Sequence, residues 1–322
     1  MENFKPEENN PAPFDQKDQY TDDGKRPEIS PRISPLTASF LGLLSVFFLY
    51  QVGGSLLTYL ILGFNLKNAD VISIRLLTMA GQLLFILLPA LLFTRYIYFD
   101  VTQILRFRLP DLSGVLLFTA GLLCLTPLLE SYLYIQNAIL IKLSQIYPFI
   151  FKMKEFVDKI DKLVEESYSS ILASHSVPEG LMIIVVVAVV PAICEEIFFR
   201  GFVQKGFEFK LKPFTSALIT AIFFGLYHFH PYQIVPLTAL GLYFGYAVYL
   251  SDSIFTSIFL HFLNNLFAVI MFFIYGSEDI ATPKTFSASE LTTSVMVFTG
   301  LSVLFSLIII YIKKVYYIKR LN

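Results

Sequence analysis

Two adjacent acidic residues, Glu195 and Glu196, interrupt an apolar run that begins at Leu181 and is followed by Arg200. A charged residue near the centre of a membrane helix costs about 2.5–3.5 kcal/mol, so such residues are usually retained for function. Glu196 and Arg200 are four positions apart with the acid first, which favours an ion pair along one helix. Glu195 is rotated by about 100° from Glu196. We therefore predict that Glu196 neutralises Arg200 and that Glu195 acts as a general base. The alternative is a purely structural Glu-Glu-Arg network.

Three of the four histidines follow the glutamates in or beside apolar segments. His228 ends one segment, and His261 shares a helix face with Asn265, four positions later. A single histidine among apolar residues is usually a hydrogen-bonded core residue. Two histidines, an asparagine and a carboxylate on three neighbouring apolar helices are better explained by one polar pocket. His230 lies where a following proline should end the helix, and His175 is interpreted as a surface residue.

These side chains are suited to hydrolysis without a covalent intermediate. A glutamate and a histidine can hold and deprotonate a water molecule, while a second histidine and an asparagine can donate hydrogen bonds to a developing oxyanion. The same groups could instead bind zinc, with Glu195, His228 and His261 as ligands, although the one-helix His-Glu-x-x-His scaffold is missing from the sequence. A Cys194 nucleophile is the least favoured alternative, because buried cysteines are usually inert.

The composition indicates a membrane protein. The chain has 322 residues, of which 55% are hydrophobic and 15% charged, compared with about 25% charged residues in a soluble domain. Its long apolar runs predict an all-α, polytopic membrane protein, and the polar side chains described above predict that it encloses a polar pocket. The net charge of -1 gives no electrostatic case for binding nucleic acid. The expected surroundings are the lipid bilayer.

Eight segments are apolar and long enough to be candidate membrane spans. They cover about residues 36–64, 74–98, 113–140, 179–204, 213–230, 232–250, 253–275 and 293–316. If all eight cross, the lysines and arginines of both tails and of the second and fourth connections fall on one side of the membrane. By the positive-inside rule this predicts a plasma-membrane protein with both termini in the cytoplasm.

Three short motifs, in order along the chain, resemble those of the CPBP family of membrane proteins. This family comprises CAAX proteases and bacteriocin-processing enzymes and is also called Abi. The motifs are Glu195-Glu196-x-x-x-Arg200, Phe224-x-x-x-His228 and His261-x-x-x-Asn265. The glycine-containing segment 240–247 is similar to the sixth helix of the family, and the likeness covers about residues 180–275.

The resemblance implies an eight-helix fold with the active site in a cavity inside the membrane. It implies water activation by Glu195 and His228, an oxyanion hole formed by His261 and Asn265, and support of the site by Glu196 and Arg200. The family is commonly labelled as metalloproteases, yet a metal-free glutamate mechanism has also been proposed for it. A divalent metal such as zinc and the absence of any cofactor therefore both stay open.

The chain is predicted to have two parts. Residues 1–35 are polar and rich in proline, which is typical of a disordered tail, here cytoplasmic. Residues 36–322 form the transmembrane domain, with a protease core at about 179–275. The connection at about 141–178 has apolar residues at helical spacing among charges of both signs, which predicts an amphipathic helix on the outer surface. A solvated spacer is the favoured interpretation of this helix, and a lid or substrate-guiding element is the alternative.

The function predicted from these observations is hydrolysis of a peptide bond in a peptide or protein substrate in or beside the membrane. One alternative is a non-catalytic binding protein of the same family, such as an immunity or adaptor protein. Another is a proton-coupled transporter that uses Glu195 and the histidines as a relay, but the sequence contains no repeated pair of broken helices.

Overall fold

The computed structural model describes residues 30–63, 69–174, 176–280 and 287–321, and within these ranges every regular element is a helix. Predictions for tail residues 1–29 and for His175 lie outside the described residues. The principal helices are α1 (Pro35–Leu62), α2 (Val71–Tyr98), α3 (Leu112–Ile146), α4 (Pro148–Leu172), α5 (Val177–Glu208), α6 (Pro213–Tyr227), α7 (Pro231–Ser251), α8 (Ile254–Gly276) and α9 (Ala288–Tyr316).

Seven helices in the described part of the chain are long and apolar enough to cross a membrane, which confirms the predicted all-α, polytopic architecture. They correspond to seven of the eight predicted spans. The remaining one, 213–230, is the shorter apolar helix α6, which has 15 residues. Its length is about 22 Å at 1.5 Å per residue, less than the roughly 30 Å of a hydrocarbon core.

The third connection contains the predicted amphipathic helix, α4, which begins at Pro148. Proline is favoured in the first turn because its missing N–H would have no helical partner there. One face carries exposed ion pairs, Lys159 with Glu155 at 3.1 Å and Lys162 with Glu166 at 3.8 Å. The helix contacts α2, α3, α8 and the turn that opens α7. It is thus packed against the membrane helices rather than held apart from them.

Glycines let α7 approach the central helix α5 closely. The carbonyl of Gly241 accepts a hydrogen bond from Arg200 Nη2 at 3.2 Å, and the carbonyl of Gly245 accepts one from Gln204 Nε2 at 3.0 Å. Both donors are buried, and a buried donor needs a partner. The two glycines therefore have a packing role that also satisfies polar groups of α5.

Replacing Gly245 with valine is expected to destabilise the protein by about 1–3 kcal/mol, the usual cost of overpacking a core. A Cβ at this position would lie 2.5 Å from Gln204 Oε1 and 3.2 Å from Ala217 Cβ. The matched control is Gly300→Val in α9, because a Cβ there would meet nothing within 4 Å. Thermal unfolding in detergent measures both variants, and equal midpoints would contradict the packing role.

Loops predicted on the same side of the membrane meet in the structure. Arg106 and Arg108, before α3, pair with Asp252, between α7 and α8, at 3.3 and 2.8 Å. At the opposite ends of the helices, Asp161 of α4 pairs with His230, at the start of α7, at 2.8 Å. These contacts agree with the predicted order of crossings. Which side is cytoplasmic stays a prediction.

Candidate active site

A buried charged cluster surrounds Glu196, whose side chain is fully buried. Arg200 Nη1 donates to Glu196 Oε1 at 2.6 Å, as the four-residue spacing predicts. His261 Nδ1 lies 2.8 Å from the same oxygen and donates to it. The Arg200 guanidinium also lies 4.3 Å from the centroid of the Phe224 ring, close enough for a cation–π contact. Glu196 is thus neutralised by its own helix and tied to α8.

Glu195 points to a different partner, His228 at the end of α6. Its Oε2 lies 3.8 Å from His228 Nε2, which is too long for a hydrogen bond. This oxygen is buried and makes no hydrogen bond within the described residues. A water molecule about 2.8 Å from both atoms would satisfy each of them with ordinary hydrogen-bond geometry. The spacing is therefore that of an acid and an imidazole that can share a water.

The end of α6 fixes the orientation of His228. The residue caps the helix, and its Nδ1 lies 2.7 Å from the carbonyl oxygen of Phe224. Because a carbonyl only accepts, Nδ1 carries the hydrogen and Nε2 is left as an acceptor in the neutral ring. The next residue, Phe229, has a φ of 51°, in the left-handed region that non-glycine residues rarely adopt. This backbone turn ends the helix directly after the imidazole.

Asn265 has a structural contact that the sequence did not predict. Its Nδ2 donates to the carbonyl of Val187 at 3.2 Å. Pro191 lies four residues after Val187, and a proline has no N–H to donate to that carbonyl. The asparagine of α8 thereby bonds directly to the backbone of α5. An amide nitrogen carries two hydrogens, so one remains for a ligand.

The four predicted catalytic residues do not form one shared contact in the structure. Glu195 faces His228, whereas His261 bonds to the predicted supporting residue Glu196. The rings of His228 and His261 both pack against Phe224, with centroid distances of 4.7 and 5.8 Å. The two histidines therefore lie around one aromatic ring, each with its own glutamate.

The three predicted metal ligands do not form a ready metal site. Among the described residues, no group of three or more histidine, cysteine or acidic side chains is placed to hold a metal ion. His261 Nδ1 is already hydrogen-bonded to Glu196, and Glu196 is paired with Arg200. Three protein ligands are the usual minimum for a catalytic zinc. The geometry in this conformation therefore does not fit such a site.

Two tyrosines near Glu195 were not singled out from the sequence. The hydroxyls of Tyr50, in α1, and Tyr168, in α4, both interact electrostatically with the Glu195 carboxylate. They come from parts of the chain 145 and 27 residues before Glu195, and no local motif marks either one. Aromatic residues are common throughout this sequence, so being a tyrosine did not mark either residue as part of the site.

The segment that contains the site is similar to a known protein family. Residues 177–267 match the family described as Type II CAAX prenyl endopeptidase Rce1-like. A Bacillus subtilis (strain 168) protein named "Putative membrane peptidase YdiL" is 32% identical over 90 residues, which is 28% of this chain and 37% of that protein. The chain thus matches a little more than a third of the length of this relative. No solved structure has significant similarity to the chain.

Proposed function

We propose that this protein is an intramembrane endopeptidase of the CPBP family, which the similarity of its residues 177–267 to CAAX prenyl endopeptidases supports. It would hydrolyse a peptide bond of a substrate in or beside the bilayer. The observation that carries the proposal is the 3.8 Å approach of Glu195 Oε2 to His228 Nε2. Glu195 remains available because Arg200 and His261 both bond to the other glutamate.

In the proposed reaction, Glu195 and His228 hold the attacking water. His228 Nε2 accepts one hydrogen bond from the water, and Glu195 takes the proton as the oxygen attacks the peptide carbonyl. The tetrahedral oxyanion forms, and the protonated Glu195 then gives its proton to the leaving nitrogen as the carbon–nitrogen bond breaks. The products are one carboxylic acid and one amine, so one water is consumed and Glu195 returns to its starting state.

His261 and Asn265 are proposed to stabilise the oxyanion. Because Glu196 accepts from His261 Nδ1, Nε2 carries a hydrogen only when the ring is an imidazolium. Asn265 has one amide hydrogen beyond the one that it donates to Val187. The role of Glu196, which is itself held by Arg200, is then to orient His261.

A direct test is cleavage by the purified protein in proteoliposomes that contain lipid-anchored peptides of mixed sequence. Mass spectrometry identifies new peptide termini. We expect termini that appear with the parent protein and are missing with a Glu195→Gln preparation. Identical peptide patterns from the two preparations would reject the endopeptidase proposal in favour of a binding or adaptor protein.

The proposal includes a metal-free mechanism, which predicts that cleavage persists in the presence of a strong chelator. The reason is that the described residues offer no group of three metal ligands. Elemental analysis of the purified protein should find divalent metal well below one ion per chain. Stoichiometric zinc, together with loss of cleavage in chelator and its return on adding zinc, would show that the ligands rearrange to bind a metal.

We further propose that both termini face the cytoplasm of the plasma membrane, with α4 on the outer side. Reporter fusions at Asn322 and at the connection between α3 and α4 would measure this orientation. Activity of a cytoplasmic reporter at the connection would reverse it.

A further inference from the structure

The backbone of His228 is only weakly held by its own helix. Its N–H donates to the carbonyl of Gly225 at 3.4 Å, and the N–H of Phe229 donates to the carbonyl of Leu226 at 3.3 Å. Both bonds are longer than the usual limit of about 3.2 Å for an N–H donor. The position of the imidazole therefore depends on the residues that follow α6 and on what they contact.

The segment of residues 229–233, here called the post-histidine turn, begins with an unfavourable backbone conformation. Phe229 has a φ of 51°, and a non-glycine residue keeps such a conformation only where the surrounding structure determines it. The chain then runs through His230 into the single turn Pro231–Gln233 that opens α7. Contacts from other helices must therefore hold the post-histidine turn.

Two helices hold Tyr232 within the post-histidine turn. Its hydroxyl donates to Asp158 Oδ1 of α4 at 2.5 Å, and its backbone carbonyl accepts from Gln136 Nε2 of α3 at 3.1 Å. Lys154, one turn earlier on α4, pairs with the Asp158 carboxylate at 2.7 Å and so helps to orient it. Tyr232 is therefore tied to α4 by its side chain and to α3 by its backbone.

His230 is held by a second carboxylate of α4. Asp161 Oδ1 lies 2.8 Å from His230 Nδ1, and both side chains are largely buried. Neither atom makes a hydrogen bond within the described residues, so the contact is an electrostatic one. Separating the two side chains would leave each buried group without compensation. The contact therefore resists movement of the post-histidine turn away from α4.

The helix α1 holds the residues on either side of His228. The hydroxyl of Tyr227 donates to the carbonyl of Leu43 at 2.6 Å. The ring centroid of Phe229 lies 5.8 Å from that of Phe47. Contacts from three helices, α1, α3 and α4, thus converge on the short stretch of chain that contains the proposed water-binding histidine.

We propose that three side chains of α3 and α4 position His228 within reach of the water that it shares with Glu195. These positioning residues are Gln136, Asp158 and Asp161. The inference rests on the proposed function. All three lie outside residues 177–267, so the similarity to CAAX prenyl endopeptidases assigns them no role. Without them Phe229 could relax from its present φ, and the imidazole would leave its 3.8 Å approach to Glu195.

The Asp158→Ala/Asp161→Ala variant tests this role on a peptide that the protein cleaves. We expect kcat to fall by about 10–100-fold, since a displacement of about 1 Å can cost this much. KM should stay within about twofold, because neither carboxylate is proposed to contact the peptide. The milder Tyr232→Phe variant removes only the hydroxyl bonded to Asp158 and should lower kcat by about threefold to tenfold.

The matched control is Glu155→Ala/Glu166→Ala, which removes two exposed carboxylates from the same helix and should keep the parent kcat. Hydrogen exchange measured by mass spectrometry tests the positioning role without a substrate. In folded Asp158→Ala/Asp161→Ala protein, residues 224–233 should exchange at least about tenfold faster than in the parent, because the turn opens locally more often. Peptides from α9 should exchange at the parent rate, which excludes general unfolding.

Unchanged exchange of residues 224–233 in the double aspartate variant would overturn the positioning role. A parent-like kcat in that variant would also overturn it, and so would a rise in KM at constant kcat, which would place the carboxylates at the substrate instead. If the parent protein cleaves no peptide, the endopeptidase proposal fails by itself, and the exchange rates still decide whether α4 holds the post-histidine turn.

Discussion

The Glu195→Gln variant is expected to hydrolyse peptides about 10²–10⁴-fold more slowly than the parent protein, the usual contribution of a general base. Glutamine has nearly the same shape as glutamate but cannot take a proton from water. Glu195 Oε2 makes no hydrogen bond within the described residues, so the substitution should leave the fold intact. The measurement is the initial rate of cleavage at saturating peptide, with thermal unfolding as the check on folding.

The matched control is Glu130→Gln, which removes another carboxylate from an apolar helix, α3. Glu130 is exposed and has no place in the proposed mechanism, so its variant should retain the parent rate. A Glu195→Gln protein that cleaves at the parent rate would remove Glu195 from the role of base. Slow cleavage by both variants would instead indicate a general requirement for carboxylates in the membrane helices.

The Arg200→Met variant is expected to be less stable than the parent by about 3–5 kcal/mol, because it leaves a buried carboxylate without its cation. Glu196 and Arg200 are both fully buried, so water cannot replace the lost partner. Cys124 and Cys194 are free and buried, which makes the reaction of a thiol-reactive dye during heating a suitable measure of unfolding.

Two further variants separate the charge effect from general damage. Lys159→Met breaks an exposed ion pair of α4 and should change stability by no more than about 1 kcal/mol. The double variant Glu196→Leu/Arg200→Met removes both buried charges and should recover much of the stability. It should not recover peptide cleavage, since His261 Nδ1 then lacks its acceptor. Equal destabilisation by the single and double variants would contradict the ion-pair explanation.

Patterns within one helix could be read from the sequence. Apolar length predicted the membrane spans, and four-residue spacing predicted the pair between Glu196 and Arg200, which the structure contains at 2.6 Å. The amphipathic pattern of 141–178 predicted the helix Pro148–Leu172. These features depend on helix geometry alone, which is the same in any tertiary context.

Contacts between distant helices could not be predicted in the same way. Arg75 bonds carbonyls 96 and 98 residues away, and a backbone carbonyl has no sequence signature. The sequence likewise did not indicate which glutamate would bond to His261, because that choice depends on the rotation of α5 relative to α8. The contact of Asn265 with the carbonyl of Val187 likewise joins residues that are 78 positions apart. The sequence did not indicate which side chain would donate a hydrogen bond to that carbonyl.

The short helix α6 has a consequence for the surrounding lipid. Its exposed apolar side chains include Phe214, Ile222 and Leu226, so acyl chains contact a hydrophobic length of about 22 Å. A bilayer of ordinary thickness must thin beside such a helix, at a cost of a fraction of a kcal/mol per ångström of mismatch. Phospholipids with shorter acyl chains relieve that strain. The thickness of the host membrane thereby becomes a determinant of how easily α6, with His228 at its end, fits in the bilayer.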